Sequence, residues 1–243
     1  MSPVRLRDIV AAELDKLRTL PLVAYSVIGT ILTGGVIAAA LAAADGAGAP
    51  ASALDITLRT VPFVHGGLVL LGVLPAGQEY DGRQLRMTLA AMPHRGRLAT
   101  GKTVAALVAV MMAAAATVAG CLAAARLTQV LLDVPRQPTA VDPWSLAGAV
   151  IYLAVIGVLA HAAAMLLRHV MPALTVVLGL LLIISPVLAG ATEHARWLPD
   201  RAAAQLYQAT DPALSPVGGV AVAVGWIVLV GVAAMLRAVR SDP

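Results

Sequence analysis

Charge is scarce in this chain and cysteine nearly absent. Charged residues make up 12% of the 243 residues, against about a quarter in globular domains, so a solvated surface of ordinary extent cannot be built. The single cysteine, Cys121, sits inside an apolar run, which excludes an internal disulfide framework and a thiolate metal site within one chain. No nucleophile–base arrangement and no Cys/His ligand spacing is present, so the sequence predicts a chain without catalytic groups or a metal site of its own. Acidic residues are also missing from the interior of the apolar runs, which counts against an ion-coupled carrier, where such groups are common. No cleavable signal peptide is recognised, since the first residues form a charged amphipathic stretch.

What is present is hydrophobic. Apolar residues make up 60% of the chain and the mean hydropathy is +0.88. Runs of at least 18 apolar residues recur along the whole length, each long enough to cross a hydrocarbon core of about 30 Å as a helix. Backbone groups find no water in lipid, so the runs are expected to be helical. The expected fold class is an all-α integral membrane protein with six transmembrane helices, forming one domain over residues 1–243. The spans are placed at 22–43, 56–76, 103–125, 145–167, 171–190 and 217–236. Arg168 and His169 alone separate the fourth and fifth spans, a tight hairpin. Before the last span, residues 201–209 (RAAAQLYQA) predict a short surface helix.

Residues 4–18 (VRLRDIVAAELDKLR) place Leu6, Ile9, Val10, Leu14 and Leu17 near helical spacing, with Arg5, Asp8, Glu13, Asp15 and Lys16 on the other face. This predicts an amphipathic helix lying in the membrane interface, with Pro21 at the bend into the first span. With the N-terminus inside, cytoplasmic segments hold 12 of the 17 basic residues and the outer segments seven of the 13 acidic ones. That bias predicts both termini in the cytoplasm. The sequence pI near 9.7 reflects this flanking pattern, and no nucleic-acid partner is expected.

Residues 77–102 (GQEYDGRQLRMTLAAMPHRGRLATGK) are the charged exception between two apolar runs, on the cytoplasmic side by the same count. Residues 96–103 match the phosphate-loop pattern G-x-x-x-x-G-K-[ST] letter for letter. The chemistry behind that pattern needs a strand before the loop and a second acidic residue to manage magnesium. No such strand is evident, so the match is read as coincidence and Lys102 as snorkelling at the mouth of the third span. Two histidines, His65 and His161, lie inside apolar spans. An intramembrane ionisable group is a candidate for handling substrate or protons; a neutral imidazole hydrogen-bonded between helices is the alternative. Glu193, His194 and Arg196 read as a solvated rim.

Three stretches resemble the permease subunits of type 2 ATP-binding-cassette (ABC-2 type) transporters. AELDKLRTLP (12–21) is similar to the family's interfacial elbow helix, EYDGRQLRMTLAAMPHRGRLATGK (79–102) to its cytoplasmic coupling segment, and WLPDRAA (197–203) to its outer loop. Glu79, Gly82, Leu89, Pro93, Arg95 and Lys102 stand at the characteristic places, while Arg83 stands where Thr is usual. The resemblance implies a six-helix permease without catalytic activity, dimeric with an identical or related chain, in a bacterial cell membrane. ATP and magnesium would be bound by a separate cytoplasmic ATPase subunit. That subunit would contact Glu79, Tyr80, Gly82, Arg83, Arg86, Leu89, Pro93, Arg95 and Arg97, flanked by Glu13, Lys16, Leu17 and Arg18 of the elbow helix. The implied activity is export of a drug, antibiotic, peptide, lipid or similar amphiphile, with His65 and His161 candidates for the pathway. A membrane anchor for a signalling or assembly complex and an ion-driven secondary transporter remain the other readings.

Overall fold

The computed structural model describes residues 5–45, 51–81, 95–134, 142–208 and 211–240. Helices dominate them, and no strand occurs among the described residues. In chain order they are α1 (Leu6–Thr19), α2 (Pro21–Asp45), α3 (Ala53–Asp81), α4 (Arg95–Leu131), α5 (Trp144–Leu167), α6 (Val170–Ala191), α7 (Pro199–Ala204) and α8 (Pro216–Arg240). Six of them, α2 to α6 and α8, are long and apolar enough to cross a membrane. These six cover the six apolar runs, and the chain is a multi-pass membrane protein by its architecture.

The helix starts follow local chemistry. Asp8 accepts a hydrogen bond from the Arg5 backbone N–H and closes the first turn of α1, while Lys16 and Arg18 occupy its last turn, where cations complement the helix dipole. Pro21 is the first residue of α2, a position where its missing N–H costs nothing. Ser52 and Asp55 form a reciprocal cap on α3: the Asp55 carboxylate accepts from Ser52 N–H at 3.1 Å, and Asp55 N–H donates to Ser52 Oγ at 3.2 Å. The hairpin between α5 and α6 turns on Arg168, whose backbone is left-handed (φ 61°) and whose N–H donates to Ala164 O.

Burial sorts the bundle into layers. Of the most apolar stretch of each helix, 67% is buried in α3 and α5, against 17% in α2 and α8 and 22% in α6. So α3 and α5 form the centre, α4 packs against both, and α2, α6 and α8 present Leu32, Val36, Ile183 and Leu229 outward. In lipid such outward faces need no cover. The central crossing rests on Gly72 and Gly157: a Cβ on Gly72 would collide with the Gly157 carbonyl, and one on Gly157 with Val110. Small residues are what allow helix backbones this close. Buried hydroxyls turn inward on their own helices: Thr57 donates to Ala53 O at 2.7 Å, Thr60 to Ile56 O at 2.9 Å and Thr117 to Ala113 O at 2.8 Å, so none asks for water in the bilayer.

Three places depart from the sequence expectation. The third span extends into a helix of 37 residues, about 55 Å at 1.5 Å per residue, because nothing between Arg95 and Leu131 breaks an Ala-rich helix. The fifth carries a π-helical segment at Leu180–Ile184, invisible to hydrophobic periodicity. The short helix before the last span covers only residues 201–204 of the expected stretch and is not on the surface. It is α7, with Ala202 and Ala203 fully buried.

Candidate functional site

At one end of the bundle, α1 is clamped to α4. Gly101 faces Ile9 so closely that a Cβ there would lie 2.5 Å from Ile9 Cγ2. One helical turn along α1, Glu13 Oε1 meets Lys102 Nζ at 2.8 Å, with side-chain exposures of only 17% and 11%. Leu17, a further turn on, is buried in the core. Ile9, Glu13 and Leu17 are thus spaced i, i+4, i+8 on a single face. Glu13, Leu17 and Lys102 also line a small cavity with Pro75, Ala76 and His161. An ion pair this far from water holds its two elements in register more than it adds net stability.

The other α1 residues to which the resemblance points, Lys16 and Arg18, stand outside this joint. Arg18 pairs with Asp15 at 3.8 Å on an exposed face, and Lys16 is half-buried, its carbonyl accepting from Thr19 Oγ1 at 2.9 Å. Of the residues expected to contact an ATPase subunit, Glu79 and Tyr80 fall in the last turn of α3, and Arg95 and Arg97 in the first turn of α4. The side chains of these four, and the whole of Gly82, Arg83, Arg86, Leu89 and Pro93, lie outside the described residues. Residues 96–103, the phosphate-loop pattern, are helical within α4.

The structure does not bring the two histidines into one site. His161 on α5 is buried, and its Nδ1–H donates to Gly72 O at 3.2 Å. That carbonyl is next to Leu71 O, which Pro75 leaves without its helical donor, so the imidazole lies where the α3 backbone is opened. His65 lies seven residues earlier on α3, about 10 Å along the axis. It is 7% exposed, and neither ring nitrogen has a hydrogen-bond partner among the described residues.

Sequence reasoning missed a third polar group in the interior. Asp200, from the segment between α6 and α8, is 8% exposed. Its Oδ2 accepts from Ser185 Oγ of α6 at 2.5 Å. Arg201 Nε donates to the same Ser185 Oγ at 3.0 Å and stands 3.8 Å from Asp200 Oδ2. Asp200 Oδ1 is buried with no partner. Burial raises the Asp200 carboxyl above its ordinary range, with Ser185 and Arg201 opposing; Tyr207 nearby is raised by burial as well. No signal in the sequence marks Asp200, because its depth is set by how α7 seats among the spans.

Compared with known proteins, the chain matches no family model and no curated protein. Among the described residues no group of three or more His, Cys, Asp or Glu could hold a metal ion. The arrangement offers a clamped joint at one end and a buried carboxylate, Asp200, held by Ser185 and Arg201 toward the other.

Proposed function

We propose that the chain is the membrane-spanning permease subunit of an ABC-2 type exporter, dimeric and driven by a separate cytoplasmic ATPase docked on residues 77–102. The observation that carries this reading is the joint of Glu13 with Lys102 and Ile9 with Gly101. A push on the segment between α3 and α4 enters a helix that runs unbroken for 37 residues into the membrane region, and the clamp makes α1 move with it. That is the rigid lever a permease needs to turn nucleotide-driven motion of a partner into motion of its spans. The charge bias supports a cytoplasmic side for this joint and both termini, and the resemblance supports a bacterial cell membrane. The amphipathic α1 then lies in the inner membrane interface.

In this account the partner subunit binds ATP and magnesium, and the present chain supplies the pathway. The apolar faces suit a drug, antibiotic, peptide, lipid or similar amphiphile as cargo. Docking a basic segment of one protein into a groove of another is an ordinary recognition mode. The test uses the assembled transporter: Glu79→Ala and Arg95→Glu should each weaken binding of the ATPase subunit and abolish transport. Intact assembly and transport in both variants would defeat the coupling assignment.

A second reading, an ion-driven secondary transporter, is favoured by one observation. Asp200 supplies the buried carboxylate that the apolar runs themselves lack. Its mark is transport across sealed vesicles driven by an ion gradient without ATP.

A further inference from the structure

The segment between α6 and α8 encloses a polar cleft of about 220 Å³, lined by Glu193, Arg196, Arg201, Gln205 and Asp211 among others. Arg201 and Gln205 stand i, i+4 on one face, because Gln205 continues the helical turn of α7 with φ −58° and ψ −20°. Gln205 is only 6% exposed. Its Oε1 accepts from Asp211 N–H at 3.1 Å, while its amide NH2 has no hydrogen-bond partner among the described residues. A donor held this deep is rarely left unused. Arg201 commits Nε alone, to Ser185 Oγ at 3.0 Å and, at 3.8 Å, to the Asp200 carboxylate. Its two terminal nitrogens, the fork that grips phosphate or carboxylate, have no partner among the described residues.

The acceptor of the cleft is Glu193. Its side chain is 89% exposed, and Oε2 alone is engaged, by Arg196 Nη2 at 3.2 Å. Arg196 is committed elsewhere as well: its Nε donates to Glu193 O at 2.9 Å and lies 3.5 Å from Asp211 Oδ2. In formal charge, Arg196 and Arg201 offset Glu193 and Asp211. Asp200, behind Arg201, is pushed by burial toward its neutral acid. A cleft without net charge concentrates neither a simple anion nor a simple cation. It suits a ligand that brings both signs: an oxyanion for the donors Arg201 and Gln205, and an N–H-bearing ammonium for Glu193. The volume is below the roughly 300–1,000 Å³ of drug-sized sites, which limits the ligand to a small group.

The source of such a group follows from the level of the cleft. The seat of α7 is tight: Gly148 of α5 meets the Leu206 carbonyl, and Gly219 of α8 meets the Ala202 carbonyl, with no room for a Cβ at either. His161, thirteen residues beyond Gly148 on α5, lines the cavity at the Glu13–Lys102 joint. The cleft therefore lies at the opposite end of the bundle, about 20 Å away along α5. All three tryptophans of the chain gather at this end. Trp144 opens α5 and is 80% exposed. Trp197 directly follows Arg196, is 52% exposed, and its carbonyl accepts from Trp226 Nε1 at 2.9 Å. Indole rings settle at the level of lipid headgroups, apolar body in the chains and polar edge in the interface. We propose that the cleft binds the headgroup of a phospholipid bearing a primary ammonium, of the phosphoethanolamine type. The terminal nitrogens of Arg201 and Nε2 of Gln205 donate to the phosphate, and the ammonium donates to Glu193 Oε1. A choline headgroup has no N–H for Glu193, and a glycerol headgroup brings no cation.

The site goes beyond the permease reading and does not depend on an ATPase partner. Its test is native mass spectrometry of the purified full chain, released into detergent from nanodiscs holding phosphatidylethanolamine, phosphatidylcholine and phosphatidylglycerol in equal parts. The wild-type chain is expected to retain phosphatidylethanolamine about tenfold over either competitor, the worth of one charge-assisted hydrogen bond. That comparison does not depend on how any variant folds. Glu193→Gln, at an exposed side chain, should bring phosphatidylethanolamine down to the level of phosphatidylcholine. Gln205→Glu keeps the oxygen that accepts from Asp211 N–H but sets a carboxylate against the phosphate. It should lower retention of both lipids, again by about tenfold. Glycerophosphoethanolamine, the same headgroup without acyl chains, should displace the lipid only in large excess. Equal retention of the three lipids by the wild type, a preference that survives Glu193→Gln, or full retention in Gln205→Glu would each overturn the proposal. Displacement by glycerophosphoethanolamine at the lipid's own concentration would assign the cleft to a soluble zwitterion and overturn it equally.

Discussion

Glu13 Oε1 and Lys102 Nζ meet at 2.8 Å across 89 residues of sequence, joining the first helix of the chain to the helix that follows its charged segment. Because both side chains are largely withdrawn from water, removing one partner takes a short charge-assisted contact from the other in a site that water reaches poorly. Glu13→Gln or Lys102→Met is expected to cost about 3 kcal/mol, the lower end for a broken buried pair. The exchange Glu13→Lys with Lys102→Glu should recover more than half of that. Thermal unfolding in detergent measures both; additive losses in the double variant would remove the pair from the account.

The Gly72–Gly157 crossing sets how closely α3 and α5 approach. Gly72→Ala forces a Cβ into the Gly157 carbonyl and should destabilise the chain by about 1–3 kcal/mol, as overpacking does. Gly29→Ala, where a Cβ meets nothing within 4 Å, should be neutral or stabilising. Comparing the two melting temperatures checks this directly.

Arg168 holds a left-handed backbone in the two-residue link between α5 and α6. A β-branched residue tolerates that conformation worst, so Arg168→Val should cost about 2 kcal/mol. Arg168→Gly should keep the turn while losing the side-chain contacts, among them the bond from Nη2 to Arg237 O. The difference between the two variants in urea or thermal unfolding reads the backbone contribution.

Asp200 makes stability depend on pH in an unusual direction. Its carboxyl is raised in the folded chain, so between the ordinary carboxylate range and that raised value the folded state holds a proton the unfolded state has lost. The linkage relation then requires stability to fall as pH rises through this window. Below the window, where the acid is protonated in both states, its contribution is fully present. Asp200→Asn should flatten this part of the profile, measured as melting temperature against pH. An unchanged slope would contradict the assigned burial.

Much of the bundle was legible in the sequence because lipid imposes one requirement, uninterrupted apolar length, and the six runs meet it. The hairpin at Arg168 and His169 was legible for the same reason, since two polar residues leave no room for anything longer. Long-range pairings were not. Nothing in the spacing of Glu13 and Lys102, or of His161 and Gly72, signals that folding brings them together. Asp200 was hidden most completely: it stands in a polar connecting segment, and only the seating of α7 against Gly148 and Gly219 carries it to the level of Ser185. The stretch holding Gly82 to Pro93 stood out by charge, its coupling role was inferred from resemblance, and it lies outside the described residues.

The central claim is that this chain is moved by an ATPase bound to its charged segment. Isolation of the tagged full-length chain from its native membrane in mild detergent, followed by identification of co-purifying subunits, tests it most directly. The account predicts a stoichiometric ATP-binding subunit whose hydrolysis is lost with Arg95→Glu. A chain that purifies without any ATPase, yet moves solute along an ion gradient, would contradict it.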